Sequence, residues 1–240
     1  MPRTTLRTPH HRFVRTACGS ELRCATPARY HRRMSIAVKV MGVLVSFVAR
    51  LVTGAQGHWT GSPPEALQRI YFANHQSHLD WVLIWAALPN DLRVRTRPIA
   101  ARDYWTASRF KHWLTREVFH AVYVSRQRTD DQDPLEPLAE ALEQGDSLVI
   151  FPEGTRSNKG EPMPFKSGLY HLAEMFPGVQ LIPVWIDNVQ RVMPKGEVVP
   201  VPILCTATFG APMQLQPGED KREFLERARE AVIALRPATT

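Results

Sequence analysis

Residues 69–88 read RIYFANHQSHLDWVLIWAAL. The first five are rich in Ile, Tyr and Phe, the residue types that fit a pleated, buried surface, so they predict a strand. A polar loop follows, and then ten residues, LDWVLIWAAL, too long and too apolar for a loop, which predict a buried helix. A strand feeding a polar loop straight into a helix is the repeating step of an α/β fold. The step recurs downstream. Strands are predicted at 97–101, 118–124, 147–151, 180–186 and 205–209, and helices at 107–116, 134–144, 166–175 and 220–235. Residues 134–144 carry proline in the first turn and stop at Gly145, as helix ends do. The fold class is therefore α/β, with a mostly parallel central sheet flanked by helices.

Composition agrees with one globular domain. Of 240 residues, 44% are apolar and 22% charged, which excludes a disordered or collagen-like chain. No apolar run approaches the ~18–20 residues of a confident membrane span. Three cysteines, Cys18, Cys24 and Cys205, are too few for a disulfide framework, and a reducing compartment is expected. The net charge of +7 lies in the first 33 residues, where eight arginines face one acid, Glu21. The remainder is neutral, so nucleic acid is not an expected partner.

Residues 1–33 lack hydrophobic periodicity and form a basic arm. A disordered tail, a transit peptide and an extension upstream of a start at Met34 are the three readings of it. Residues 36–52, IAVKVMGVLVSFVARLV, form an amphipathic helix in the segment 34–60. Its polar residues Lys39, Ser46 and Arg50, with Thr53, fall in a stripe roughly 60° wide at about 100° per residue. Such a helix suits a membrane interface, or equally a place packed on the domain. An α/β domain over 61–192 follows. The proline-rich loop 193–202 leads to a C-terminal strand and helix that complete it by residue 240.

Chemistry in parallel sheets sits beyond the carboxyl ends of the strands, and two polar clusters fall there. In the first, Asn74–Asp80, His75 and Asp80 are five residues apart. On one continuous helix they would diverge by about 140°. With His75 in the loop and Asp80 in the first helical turn they can pair, fixing the imidazole tautomer and leaving the other nitrogen to take a hydroxyl proton. The competing reading makes Asp80 a helix-start residue serving backbone amides, since Ser77-x-x-Asp80 looks like a capping box. His75-x-x-His78-x-Asp80 matches no zinc spacing, and no metal is expected.

The second cluster is Phe151-Pro152-Glu153-Gly154-Thr155-Arg156-Ser157. Gly154 allows close backbone approach, and Arg156 offers a planar fork suited to phosphate. Glu153 could order that arginine or a ligand hydroxyl. Arg126, which ends the segment VYVSR, and Lys166 add two further cations, together suggesting an anion site.

The two clusters resemble the His-x4-Asp and FPEGTRS motifs of the glycerolipid acyltransferases, in order and at plausible separation. The type most resembled is the 1-acylglycerol-3-phosphate (lysophosphatidate) acyltransferase. Tyr123-Val124-Ser125-Arg126 is similar to the family's middle motif and Ile182-Pro183-Val184 to its last, so the resemblance covers about residues 70–190. One departure is His120, where the family usually has glycine six residues before the middle-motif arginine.

The resemblance implies transfer of a fatty acyl group from acyl-CoA or acyl carrier protein to the free hydroxyl of a lysophospholipid, giving phosphatidate in phospholipid biosynthesis, without a cofactor. It implies His75 as general base and Asp80 as its orienting partner. Arg156, Arg126 and Lys166 would hold the acceptor phosphate, Glu153, Gly154 and Thr155 would shape that site, and Pro183 would lie on the acyl-donor side. It also implies a membrane surface as partner, at the cytoplasmic face of a bacterial inner membrane. The alternatives are the same chemistry on another lyso-lipid such as lyso-ornithine lipid, a non-catalytic membrane-surface lipid-binding protein, and a metal-dependent hydrolase.

Overall fold

The computed structural model describes residues 40–45, 47, 55–77, 80–105, 108–124, 133–157, 161–187 and 205–237. Two units are distinguished, Met1–Met34 and Ser35–Thr240, and every described residue belongs to the second. The basic arm therefore lies outside the described residues, as do Arg126, His78 and the loop 193–202.

Seven strands form the sheet: β1 (Gln56–Trp59), β2 (Arg69–Ala73), β3 (Thr96–Ala101), β4 (Val122–Val124), β5 (Ser147–Ile150), β6 (Gln180–Asp187) and β7 (Thr206–Phe209). Their order is β1-β7-β6-β2-β5-β3-β4. All neighbours are parallel except β6 and β7. The central strands read as nearly continuous apolar runs because helices cover both faces. Their side chains alternate between two cores. Tyr71, Val149, Ile182 and Val184 face one, with helix α1 (Asp80–Ala87) over it. Ile70, Phe72, Leu148 and Ile150 face the other, with α5 (Glu136–Glu143), α6 (Gly168–Met175) and α7 (Lys221–Ile233). Three short helices, α2 (Asn90–Arg93), α3 (Arg102–Trp105) and α4 (Arg109–Trp113), link the elements between.

Helix α1 ends firmly. Arg93 donates to the carbonyls of Trp85 (2.9 Å), Ala86 (3.1 Å) and Leu88 (2.7 Å), and its guanidinium lies 4.9 Å over the Trp85 ring. These bonds satisfy carbonyls that a helix end leaves without partners.

Two sequence expectations are corrected. Residues 56–59 lie inside the segment 34–60 read as helical, yet they pair with β7 as strand β1. Residues 118–124 read as one strand, but Leu114–Val118 is a π-helical turn and only Val122–Val124 is extended. Phe119 explains the difference. Its ring meets Trp81 (4.5 Å) and Trp85 (4.8 Å) edge-on, so aromatic packing on α1, not ladder pairing, sets the backbone there. The turn back into β4 places His120 at φ +48°, in the left-handed region that favours glycine.

Residues 40–45 and 47 are helical. Met41 and Val45 pack on the α1-side core, and Gly42 has its Cβ direction toward Val118. Val40, Val43, Leu44 and Phe47 are exposed. Among the described residues no helix is long and apolar enough to cross a membrane.

Candidate active site

Strands β2 and β5 are parallel neighbours, with Phe72 opposite Ile150. Their following loops therefore emerge side by side at one edge of the sheet, and both polar clusters lie there. Asn74 anchors the first. Its amide group exchanges two hydrogen bonds with the main chain of Ile186 (2.8 and 3.0 Å), continuing the β2–β6 pairing through a side chain.

His75 and Asp80 pair as the loop-plus-first-turn geometry requires: Nδ1 lies 2.9 Å from Asp80 Oδ2. The same oxygen accepts from the amides of Gln76 (2.6 Å) and Ser77 (2.8 Å). The two readings of Asp80, imidazole partner and helix-start residue, are therefore both realised in one fully buried carboxylate. Its Oδ1 has no partner among the described residues. The imidazole stacks on Phe151 at 4.3 Å between centroids, 19° apart. With Nδ1 donating to the carboxylate, Nε2 is the nitrogen left to accept a proton.

The FPEGTRS loop grips His75 by its main chain. Glu153 Oε1 accepts from the His75 amide (2.7 Å), and the Ser157 amide donates to the His75 carbonyl (2.8 Å). Glu153 Oε2 accepts from the Met163 amide (2.8 Å). Glu153 is only 2% exposed, and burial raises its carboxyl above the usual value, an effect that the two amide donors offset in part. Where the sequence reading gave Glu153 a part in shaping the acceptor site, the structure shows both of its oxygens accepting from backbone amides inside the protein.

Gly154 takes φ +67°. A Cβ there would meet Nζ, Cε and Cδ of Lys166 at 2.5–2.9 Å, so the space the glycine leaves is filled by the Lys166 side chain. Thr155 and Arg156 are exposed, and the Arg156 guanidinium has no ion pair or hydrogen bond among the described residues. Arg126 lies outside the described residues, although Val124, two residues before it, lines the site.

Beside His75 opens a cavity of about 320 Å³. Its walls are apolar, among them Trp81, Trp105, Leu138, Phe151, Leu169 and Leu172, and its polar end carries His75, Gly154 and Lys166. That volume falls at the lower end of the roughly 300–1,000 Å³ of small-molecule sites. The sequence reading missed this chamber, because its walls come from six separate stretches of chain.

Pro183 does not join the site. It sits in β6 opposite Phe72, and its ring packs on the backbone of Gly210 beside Leu235. With Leu181 and Trp185 it faces the α7-side core, the core from which Ile150, Leu169 and Leu172 line the chamber, and Pro183 itself is not among the lining residues. Cys205 is buried behind the site, its thiol pushed up to about 11 by burial and by the negative charges of Asp187 and Asp80. A thiol so protonated is a poor nucleophile. Among the described residues no three His, Cys, Asp or Glu side chains are grouped to hold a metal ion.

Comparison with known proteins gives the family. A family model described as Acyltransferase matches residues 62–187, just over half of the chain and all of the site described above. The human 1-acyl-sn-glycerol-3-phosphate acyltransferase alpha is 31% identical over 180 residues, covering 72% of this chain and 59% of that protein. The 1-acyl-sn-glycerol-3-phosphate acyltransferase of Cocos nucifera is 27% identical over 171 residues, covering 68% of this chain and 51% of that one. The chain thus spans little more than half the length of these curated relatives. In fold, it is similar to the crystal structure of the 1-acyl-sn-glycerophosphate acyltransferase PlsC from Thermotoga maritima, with TM-score 0.64, 21% identity, and coverage of 86% of this chain and 83% of that one. Since the matched region carries the paired His75–Asp80 and the FPEGTRS loop that clamps it, the chain belongs to the Acyltransferase family.

Proposed function

We propose that this protein transfers a fatty acyl group from a thioester, acyl-CoA or acyl carrier protein, to the free hydroxyl of 1-acylglycerol-3-phosphate, forming phosphatidate. One observation carries the proposal: an imidazole held by a buried carboxylate at 2.9 Å stands at the mouth of an apolar chamber. A hydrocarbon chain suits the chamber, and a hydroxyl suits the imidazole. The names of the relatives point to the acceptor.

In this reading His75 Nε2 takes the hydroxyl proton as the oxygen attacks the thioester carbonyl. Asp80 holds the ring and stabilises the imidazolium that forms. General-base assistance of this kind supplies about 10²–10⁴-fold in rate. The thioester is already activated, so the step needs no metal or other cofactor. Arg156, together with Arg126, holds the acceptor phosphate.

The exposed residues Val40, Val43, Leu44 and Phe47 recur at i, i+3, i+4 and i+7, a helical stripe opposite the packed Met41 and Val45. We assign that stripe to a membrane surface, from which a lysolipid would reach the site. Vesicle co-sedimentation of wild type against a Val43→Glu/Phe47→Glu variant tests it: equal binding refutes the assignment.

For the reaction, purified protein is given labelled acyl-CoA and lysophosphatidate. Phosphatidate should form, and His75→Ala should lose nearly all turnover. Wild-type turnover in His75→Ala refutes the base. Vesicle and lipid binding without any wild-type turnover favours a lipid-binding protein, and product only with a phosphate-free lyso-lipid moves the acceptor.

A further inference from the structure

The two described cations of the site, Lys166 and Arg156, divide by position. Lys166 lines the apolar chamber together with His75, whereas Arg156 does not. The lysine is held there. Its amide donates to the Pro152 carbonyl (2.9 Å), and the preceding Phe165 is buried with its ring edge-on to Phe72 (6.3 Å). Its side chain runs across Gly154, and its ammonium has no ion pair or hydrogen bond among the described residues.

Resting on the acyl-transfer reading above, we propose that Lys166 is a catalytic residue for the acyl donor: its ammonium stabilises the oxyanion formed at the thioester carbonyl, while the arginines, not Lys166, serve the acceptor phosphate. An acyl chain in the chamber brings its carbonyl to the polar end, where the only groups are His75, Gly154 and Lys166 among the lining residues. The acceptor oxygen forms a bond to the carbonyl carbon as its proton passes to His75 Nε2. The carbonyl π pair moves onto oxygen, giving a tetrahedral oxyanion within reach of the ammonium. Collapse restores C=O and breaks C–S, and the departing thiolate takes the proton from the imidazolium. Ester and free thiol leave, and the imidazole is neutral again. Lysine is a compact point charge on a flexible stem, suited to one oxygen, whereas a planar guanidinium fork suits a phosphate.

The test compares Lys166→Met, Lys166→Gln and Arg156→Ala on two acceptors, lysophosphatidate and the phosphate-free 1-monoacylglycerol, with saturating acyl-CoA. Removing an oxyanion donor costs about 10²–10³-fold in kcat, and that loss is expected for both Lys166 variants on either acceptor, with acceptor KM within about twofold. Arg156→Ala should instead raise KM for lysophosphatidate and leave monoacylglycerol unaffected. If wild type does not use monoacylglycerol, the kcat-against-KM split on lysophosphatidate decides alone. Unchanged kcat in the Lys166 variants overturns the proposal, as does a raised lysophosphatidate KM with monoacylglycerol turnover spared, which would make Lys166 a phosphate ligand. Circular dichroism confirms that at least one of the two variants is folded. A wild type inactive on every acceptor overturns the transferase reading itself, a result distinct from an active wild type with unimpaired Lys166 variants.

Discussion

Asp80 Oδ2 lies 2.9 Å from His75 Nδ1 while it accepts two further hydrogen bonds from the amides of Gln76 and Ser77. One oxygen therefore shapes the loop and orients the imidazole. The imidazole cannot be aligned without the loop being closed, because the same atom does both.

Asp80→Asn follows from this. The amide oxygen can take the Oδ2 place and accept from the ring and both backbone amides, but it carries no charge to stabilise an imidazolium, and the NH2 group takes the buried Oδ1 place, which has no partner among the described residues. We expect kcat to fall by roughly 10²–10⁴-fold. The melting temperature should fall as well, since an amide donor is left unmatched in a buried place. Steady-state kinetics with a melting curve checks both, and full activity would reduce Asp80 to a helix-start residue.

Glu153→Gln should separate the clamp from the acceptor. The carboxylate accepts from His75 and Met163 main-chain amides, and glutamine can satisfy only one of them. We expect kcat to drop by about 10-fold or more, as a base displaced by a fraction of an ångström loses its alignment. The acceptor KM should hold within about twofold, since the side chain faces inward. A raised KM with unchanged kcat would return Glu153 to the acceptor.

Glu153 also gives a pH dependence of stability. Burial raises its carboxyl above the usual 4.5 in the folded protein. The folded state then holds the proton more tightly than the unfolded one, so this contribution is complete below the unfolded value and is lost as pH rises through the folded value. Asp146, raised by burial despite Arg97 beside it, adds the same slope. Glu219, lowered by Arg227, adds the opposite one, complete at higher pH and lost as pH falls. The difference between wild type and Glu153→Gln isolates the first. Across the mildly acidic range, denaturant midpoints should show wild type losing stability relative to the variant as pH rises. A relative gain would contradict the raised value.

His120 stands at φ +48° where the resembled family usually has glycine. Left-handed backbone costs a residue with a Cβ roughly 1–2 kcal/mol. His120→Gly should therefore be more stable than His120→Ala by about 1 kcal/mol, a comparison that removes the imidazole from both. Chemical denaturation of the two variants measures it, and an alanine variant at least as stable would show that the turn relaxes.

The His75–Asp80 pair was legible in the chain because it is local. Five residues separate His75 from Asp80, and the strand–loop–helix pattern of 69–88 forces the fold-back that joins them. The α/β class followed from the same alternation, since strand and helix periodicities are properties of short stretches. The FPEGTRS stretch announced a site but not its division of labour. Glu153 and Gly154 read as ligand-facing residues, yet one turns inward to main-chain amides and the other makes room for Lys166.

What the tertiary structure decided is everything that depends on strands meeting. The adjacency of β2 and β5 is set by which apolar faces are buried together, not by any local signal, and it alone brings Glu153 onto the amide of His75. The apolar chamber needs Trp81, Leu138 and Leu172 from three helices around one void, and no single stretch encodes its volume. Pro183, a motif residue by sequence, was placed by the sheet: it lies on the same face as the chamber residue Ile150 but two strands away from it, across Phe72, and is not among the residues that line the chamber.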